Sequence, residues 1–198
     1  MPETIAQSAA PGWVRARLSG RPGTRWVGID GFGAAGKSTL AREIAAELPG
    51  SVVIAVDDFG RAGIRGWDRD LFTVQVLQPL LAGRPARYQR WDLSSDTGSD
   101  WIEVPAGGPV IIEGVSATDE RVAVPWDVTL WLDVPADVRW QRILERDPER
   151  LERWRTDWLP SEQAYAAAQH PMARVDVVVT GAGELWARDP SGGIEAGS

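Results

Sequence analysis

Residues 31–38, Gly-Phe-Gly-Ala-Ala-Gly-Lys-Ser, set a lysine and a hydroxyl directly behind a glycine-rich loop. Glycine tolerates positive φ and lets the backbone approach a ligand closely. Successive N–H groups that open into a helix N-terminus form a cradle for phosphate oxygens. The pattern G-x-x-x-x-G-K-[ST] is met at every fixed position, with an apolar strand expected before it and a helix after it. The spacing therefore assigns phosphate binding to the backbone of Gly31, Gly33, Ala34, Ala35 and Gly36 and to the helix start at Lys37, Ser38 and Thr39. Lys37 reaches the outer phosphates as a point charge, and the Ser38 hydroxyl suits Mg²⁺, a hard cation that prefers oxygen. By itself the loop says that a nucleoside triphosphate is bound; it does not separate a transferase from a switch.

Three further groups narrow the chemistry. Asp57 and Asp58 follow the apolar run 51–56, and Glu113 closes the run 109–113. At the carboxyl ends of parallel strands these acids stand near the phosphate loop. One of the aspartates could orient and deprotonate a substrate hydroxyl, with Asp58 the candidate for Mg²⁺ through water; Glu113 suits either the metal or a substrate hydroxyl. Each of these acids could instead cap a helix or lie at a solvated strand end. Arg139, Arg142 and Arg146 recur at spacings of three and four, so they share a helix face. Arginines closing over a transferred phosphoryl group stabilise its charge, although the same spacing also describes a solvated face paired with Glu145 or Glu149. Asp30, ahead of the first loop glycine, reads as a strand-end residue.

Positioning these residues takes alternating strands and helices. The runs 25–29, 51–56, 109–114, 128–134 and 175–179 are β-branched without clean alternation, as in a parallel sheet covered on both faces. Helical patterns fall at 38–50, at 68–83 around Pro79, at 135–147 and around 149–169, which implies right-handed βαβ units in three layers. Residues 1–12 read as a loose tail, 13–188 as one domain and 189–198 as a disordered end. His170 sits before Pro171 at a helix end and reads as structural, and Trp154 and Trp158, four apart, read as packing.

The chain has 198 residues, 43% of them hydrophobic, and a formal net charge of -7. That charge disfavours a nucleic-acid partner. There is no cysteine and one histidine, which excludes disulfides and thiolate or His-rich metal sites. No apolar run is long enough to span a bilayer and no signal peptide is evident, so a cytoplasmic protein is expected; a homo-oligomer is left open.

Taken together, GFGAAGKST, VDDF, ARYQRWD (86–92), VIIEG and ADVRWQRILERD (136–147) resemble the uridine kinase-like family of P-loop small-molecule kinases. The resemblance covers most of 25–180. It implies a P-loop fold of about five parallel strands with a short arginine-bearing lid, and ATP and Mg²⁺ as cofactors. It also implies transfer of the γ-phosphate to a hydroxyl of a small acceptor, most often a nucleoside. Carried over by position, Asp57 resembles the family's base and Glu113 its metal-linked acid. Arg142 and Arg146 resemble the lid arginines, and Tyr88 a substrate-pocket residue, with Trp91 and Arg139 beside it. The acceptor segment departs from the family pattern: it carries no histidine, and Gly60 replaces the tyrosine common after Asp-x-Phe. A nucleotide, vitamin precursor, sugar or antibiotic acceptor therefore stays open, as does a regulatory module without an acceptor.

Overall fold

The computed structural model describes residues 2–92, 95 and 97–181. Its elements, in order, are strand β1 (Glu3–Ala6), helix α1 (Ala10–Leu18), β2 (Arg25–Asp30), α2 (Lys37–Ala46), β3 (Val52–Ala55) and α3 (69–81). There follow β4 (Ala86–Asp92), β5 (Thr97–Val104), β6 (Pro109–Glu113), β7 (Val128–Asp133), α4 (Ala136–Arg146), α5 (151–169), α6 (Pro171–Arg174) and β8 (Val177–Thr180).

Six strands form one parallel sheet in the order β1-β8-β7-β2-β6-β3, and β4 and β5 form a separate antiparallel pair. Alternate residues of the central strands point to opposite faces. Val27, Ile29, Ile111, Leu130, Leu132, Val177 and Val179 pack on α1 and α2 through Val14, Leu18, Leu40 and Ile44. Trp26, Val110, Ile112 and Ile54 face the other way, onto Phe59, Phe72, Val76, Leu80 and the hairpin residues Tyr88 and Val104. The result is the three-layer α/β fold that the apolar runs imply.

Two expectations need correction. The sheet has six strands rather than about five, and residues 3–6, assigned to a loose tail, are its edge strand. Glu3 to Ala6 pair in parallel with Val177 to Thr180. The four-residue stretch has no periodicity of its own; it is fixed by backbone bonds to a strand more than 170 residues away. The terminal stretch 189–198 lies outside the described residues.

The run at 68–83 stays helical across Pro79, as does the later run across Pro160. In each, a wide turn (73–77 and 154–158) comes just before the proline, with i→i−5 bonds from Gln78 to Thr73 and from Leu159 to Trp154. The widening removes the clash between the proline ring and the carbonyl four residues back.

The loop after β6 is held by Asp119, which is 1% exposed. Its carboxylate accepts from Arg69 Nε at 2.7 Å, from Gln169 Nε2 at 2.9 Å, and from Arg121. Burial opposes the charge, but the hydrogen bonds from Arg121 and Gln169 and the nearby Arg69 outweigh it and hold the carboxyl well below the usual range. A depressed carboxyl contributes stability above its unfolded pKa and loses it as pH falls toward the folded value. Asp119→Asn should therefore be less stable than wild type at pH 7, and the gap should narrow as pH falls below about 4. Urea unfolding at several pH values reads both; a gap that widens toward acid would contradict it.

Candidate active site

Glu113, the last residue of β6, is flanked in register by Ile29 of β2 and Ala55 of β3. Three carboxyl ends thus stand side by side. β2 runs into the phosphate loop, β3 into the tight turn Val56–Phe59 that carries Asp57 and Asp58, and β6 presents Glu113 between them. This placement follows from strand order alone.

The loop has the backbone that a phosphate cradle needs. Gly31 has φ 146° and Gly36 φ 100°, and a Cβ on Gly31 would lie 2.7 Å from the Leu132 carbonyl. Ala34, with φ 58°, is a non-glycine residue in the left-handed region. Gly36 is the N-cap of α2, so the first turn, Lys37-Ser38-Thr39, points its end of the helix dipole at the cradle. The Lys37 ammonium donates to the Phe32 carbonyl at 2.8 Å. Burial pushes its pKa down, opposed by the carboxylates of Asp30, Glu113, Glu162 and Asp57 around it.

The Ser38 hydroxyl lies beside Glu113, whose pKa burial raises against the pull of Ser38 and Lys37. Asp57 is exposed, and its field reaches Lys37, Glu113 and Glu162. Asp58 has a different setting. Its carboxylate accepts from the Tyr88 hydroxyl at 3.0 Å and pairs with Arg90 at 3.4 Å. Tyr88 is fully buried and stacked on Phe59 with ring centroids 5.0 Å apart. Thus Tyr88, assigned to the acceptor pocket, does not reach the surface; its hydroxyl holds Asp58. Trp91 lies under the Arg61 guanidinium, 4.3 Å from the ring centroid.

Helix α4 faces the loop through two of its three arginines. Arg142 donates to the carbonyls of Ala34 and Ala35 at 3.1 and 3.0 Å. Arg139 lies over the Phe32 ring at 4.7 Å and donates to Val134 O; burial lowers its pKa. Arg146 sits on the exposed end, paired with Asp147 at 3.0 Å.

Two site residues escape sequence reasoning. Asp30, read only as a strand end, is fully buried and accepts five hydrogen bonds. One oxygen takes the N–H of Gly31 (2.7 Å) and of Ser116 (3.0 Å). The other takes the N–H and hydroxyl of Thr118 (3.0 and 2.7 Å) and the Tyr165 hydroxyl (2.7 Å). Glu162, on α5, is 5% exposed and accepts from the Gly33 N–H at 2.9 Å. A Cβ on Gly33 would lie 2.6 Å from Glu162 Oε1 and 2.8 Å from the Trp154 ring. The available signal was Glu162-x-x-Tyr165, two polar residues one turn apart on the same face of a helix. Trp154 and Trp158, expected to pack, meet edge to face at 4.7 Å.

No family model matches the chain. It aligns at 25% identity over 165 residues with uridine-cytidine kinase-like 1 of Mus musculus, covering 73% of this chain and 30% of the mouse protein. With the uridine kinase of Staphylococcus aureus (strain JH9) it shares 28% over 149 residues, covering 66% of this chain and 72% of the bacterial protein. What the chain is similar to is therefore a set of proteins named as uridine kinases or uridine-cytidine kinase-like. The fold agrees with a solved structure named a possible uridine kinase from Bacillus stearothermophilus (TM-score 0.64, 20% identity, 87% of this chain and 98% of that one). It agrees similarly with that of a candidate fructose transport system kinase from Silicibacter sp. TM1040 (TM-score 0.62, 23% identity, 88% and 98%). Among the described residues no helix is long and apolar enough to cross a membrane.

Removing the Asp30 carboxylate strands the buried donors of Gly31, Ser116, Thr118 and Tyr165. At about 1–3 kcal/mol for each buried group left unpaired, partly relieved by water, Asp30→Ala should lose about 3–5 kcal/mol of stability. Urea unfolding measures this, and a loss under about 1 kcal/mol would remove Asp30 from its central place.

Proposed function

We propose that the protein transfers the γ-phosphate of ATP to a hydroxyl of a small acceptor, with a nucleoside as the leading class. The observation that carries this is the convergence of Lys37, the Ser38–Glu113 pair and Asp57 on one end of the sheet. A phosphate loop alone fits any nucleotide binder. A loop with an exposed carboxylate from the adjacent strand end and arginines packed against it has the parts of a transferase.

The roles follow from position. The loop N–H groups and Lys37 bind and orient the phosphates. Asp57, exposed and next to the cradle, accepts the proton of the acceptor hydroxyl as it attacks. Oxygen donors from Ser38 and Glu113 fit Mg²⁺, which they would hold together with phosphate oxygens; when bound, it supplies charge neutralisation on the phosphates. Arg142 and Arg139, resting on the loop carbonyls and on Phe32, stand beside the cradle as the cations to meet the phosphates. Asp58, held by Tyr88 and Arg90, forms the wall next to the base, and Trp91 with Arg61 lies on the hairpin beyond it. Closure of α4 over the site would exclude water and favour the acceptor over hydrolysis.

The test is ADP release from ATP, without acceptor and then with panels of nucleosides, nucleotides, sugars and vitamin precursors. Acceptor-dependent release supports a kinase; strong ATP binding with no acceptor dependence supports a regulatory module instead. With the working acceptor, Asp57→Asn should bind ATP normally and turn over about 10²–10⁴ times more slowly. Near-normal turnover would remove Asp57 as base.

A further inference from the structure

The phosphate loop already holds an anion that belongs to the chain. Gly33 N–H, in the middle of the cradle, donates to the Glu162 carboxylate, which is almost wholly buried. Burial raises its pKa, opposed by the Gly33 N–H and by the charges of Lys37 and Arg139, while the Asp57 carboxylate adds to the rise. Trp154, from the same helix, closes over Gly33 beside it. Neither the loop motif nor the lid arginines call for this carboxylate. A buried charge is costly unless compensated, and Glu162 occupies a loop N–H, within the field of Lys37, that an incoming phosphate would need.

We propose that Glu162 is an internal stand-in for phosphate: it caps the loop in the nucleotide-free protein and must be displaced when the outer phosphates of a nucleotide bind. The inference rests on the nucleotide-binding reading above and adds a direction to it. Because Glu162 shares α5 with Trp154 and with Tyr165, which bonds Asp30, displacement is felt along the whole helix. Binding of the phosphates thus works against α5, and the loop is released from α5 only when a polyanion arrives. A glutamate that merely braced the loop would have the opposite sign, since its loss would weaken the cradle.

The experiment is calorimetric binding of ATP, AMP and inorganic triphosphate to wild type, Glu162→Gln, Glu162→Ala and Lys37→Met. Gln keeps an acceptor for Gly33 N–H and removes the charge. Removing one like charge beside the phosphates is expected to tighten ATP and triphosphate at least about ten-fold, and AMP much less. Glu162→Ala, which removes the acceptor as well, should tighten them at least as much. Equal or weaker ATP binding in a folded Glu162→Gln or Glu162→Ala overturns the stand-in while leaving nucleotide binding intact. If wild type binds neither ATP nor triphosphate and Lys37→Met behaves the same, the nucleotide reading falls and the stand-in with it.

Discussion

One carboxylate, that of Asp30, ties the site together. It lies at the end of the central strand with no exposed surface, and all five of its hydrogen bonds come from groups that must be placed correctly. Gly31 begins the phosphate loop, Ser116 and Thr118 belong to the loop after β6, and Tyr165 belongs to α5. Three segments far apart in sequence are thereby locked to one atom group. In water each donor would be satisfied anyway. In the interior the alternative to Asp30 is an unpaired polar group, and that asymmetry fixes the arrangement.

The electrostatics of the cradle follow from the same crowding. Lys37 is buried among Asp30, Glu113, Glu162 and Asp57. Desolvation lowers its pKa, and the surrounding carboxylates oppose that by favouring the charged form. In turn, Lys37 and Ser38 make it tolerable to bury Glu113. The cluster is balanced through mutual compensation, so a phosphate that takes up Lys37 changes the environment of every acid near it. Arg139 and Arg142, resting on Phe32 and on the loop carbonyls, are the cations in reserve.

Much of this was legible in the sequence, and what was legible was local. The phosphate loop is a contiguous pattern whose glycines answer to backbone geometry. The buried strands announce themselves by β-branched runs, and Asp57 and Glu113 by standing at their ends. Parallel pairing then needed only strand order to bring those ends together. What the sequence hid depended on distant partners. The edge strand 3–6 has no signal until Val177–Thr180 lies beside it. β5 carries mostly exposed side chains, and a register shift between Gln89 and Trp91 breaks the alternation of β4. Tyr88 is placed in the acceptor pocket by resemblance alone, and the stack on Phe59 and the bond to Asp58 depend on partners about 30 residues away. Glu162 meets Gly33 across 129 positions.

The placement of Glu162 also shows how a single residue type sets the site from a distance. In a regular α-helix Trp154 and Glu162, eight residues apart, would point about 80° away from each other. Yet both close on the same loop position, Gly33. The turn 154–158 is wide, with Leu159 N–H bonded to Trp154 O, and so absorbs one extra residue. That makes the pair equivalent to a seven-residue spacing, about 20° apart and on one face. The widening stands immediately before Pro160, whose ring would collide with the Thr156 carbonyl of a regular helix. Pro160 is exposed, but the register it imposes carries Trp154, Glu162 and then Tyr165 onto the phosphate loop and Asp30. A helix-forming residue there would favour regular winding and rotate the tryptophan and the acid apart, so the proline belongs to the site as surely as the loop glycines do.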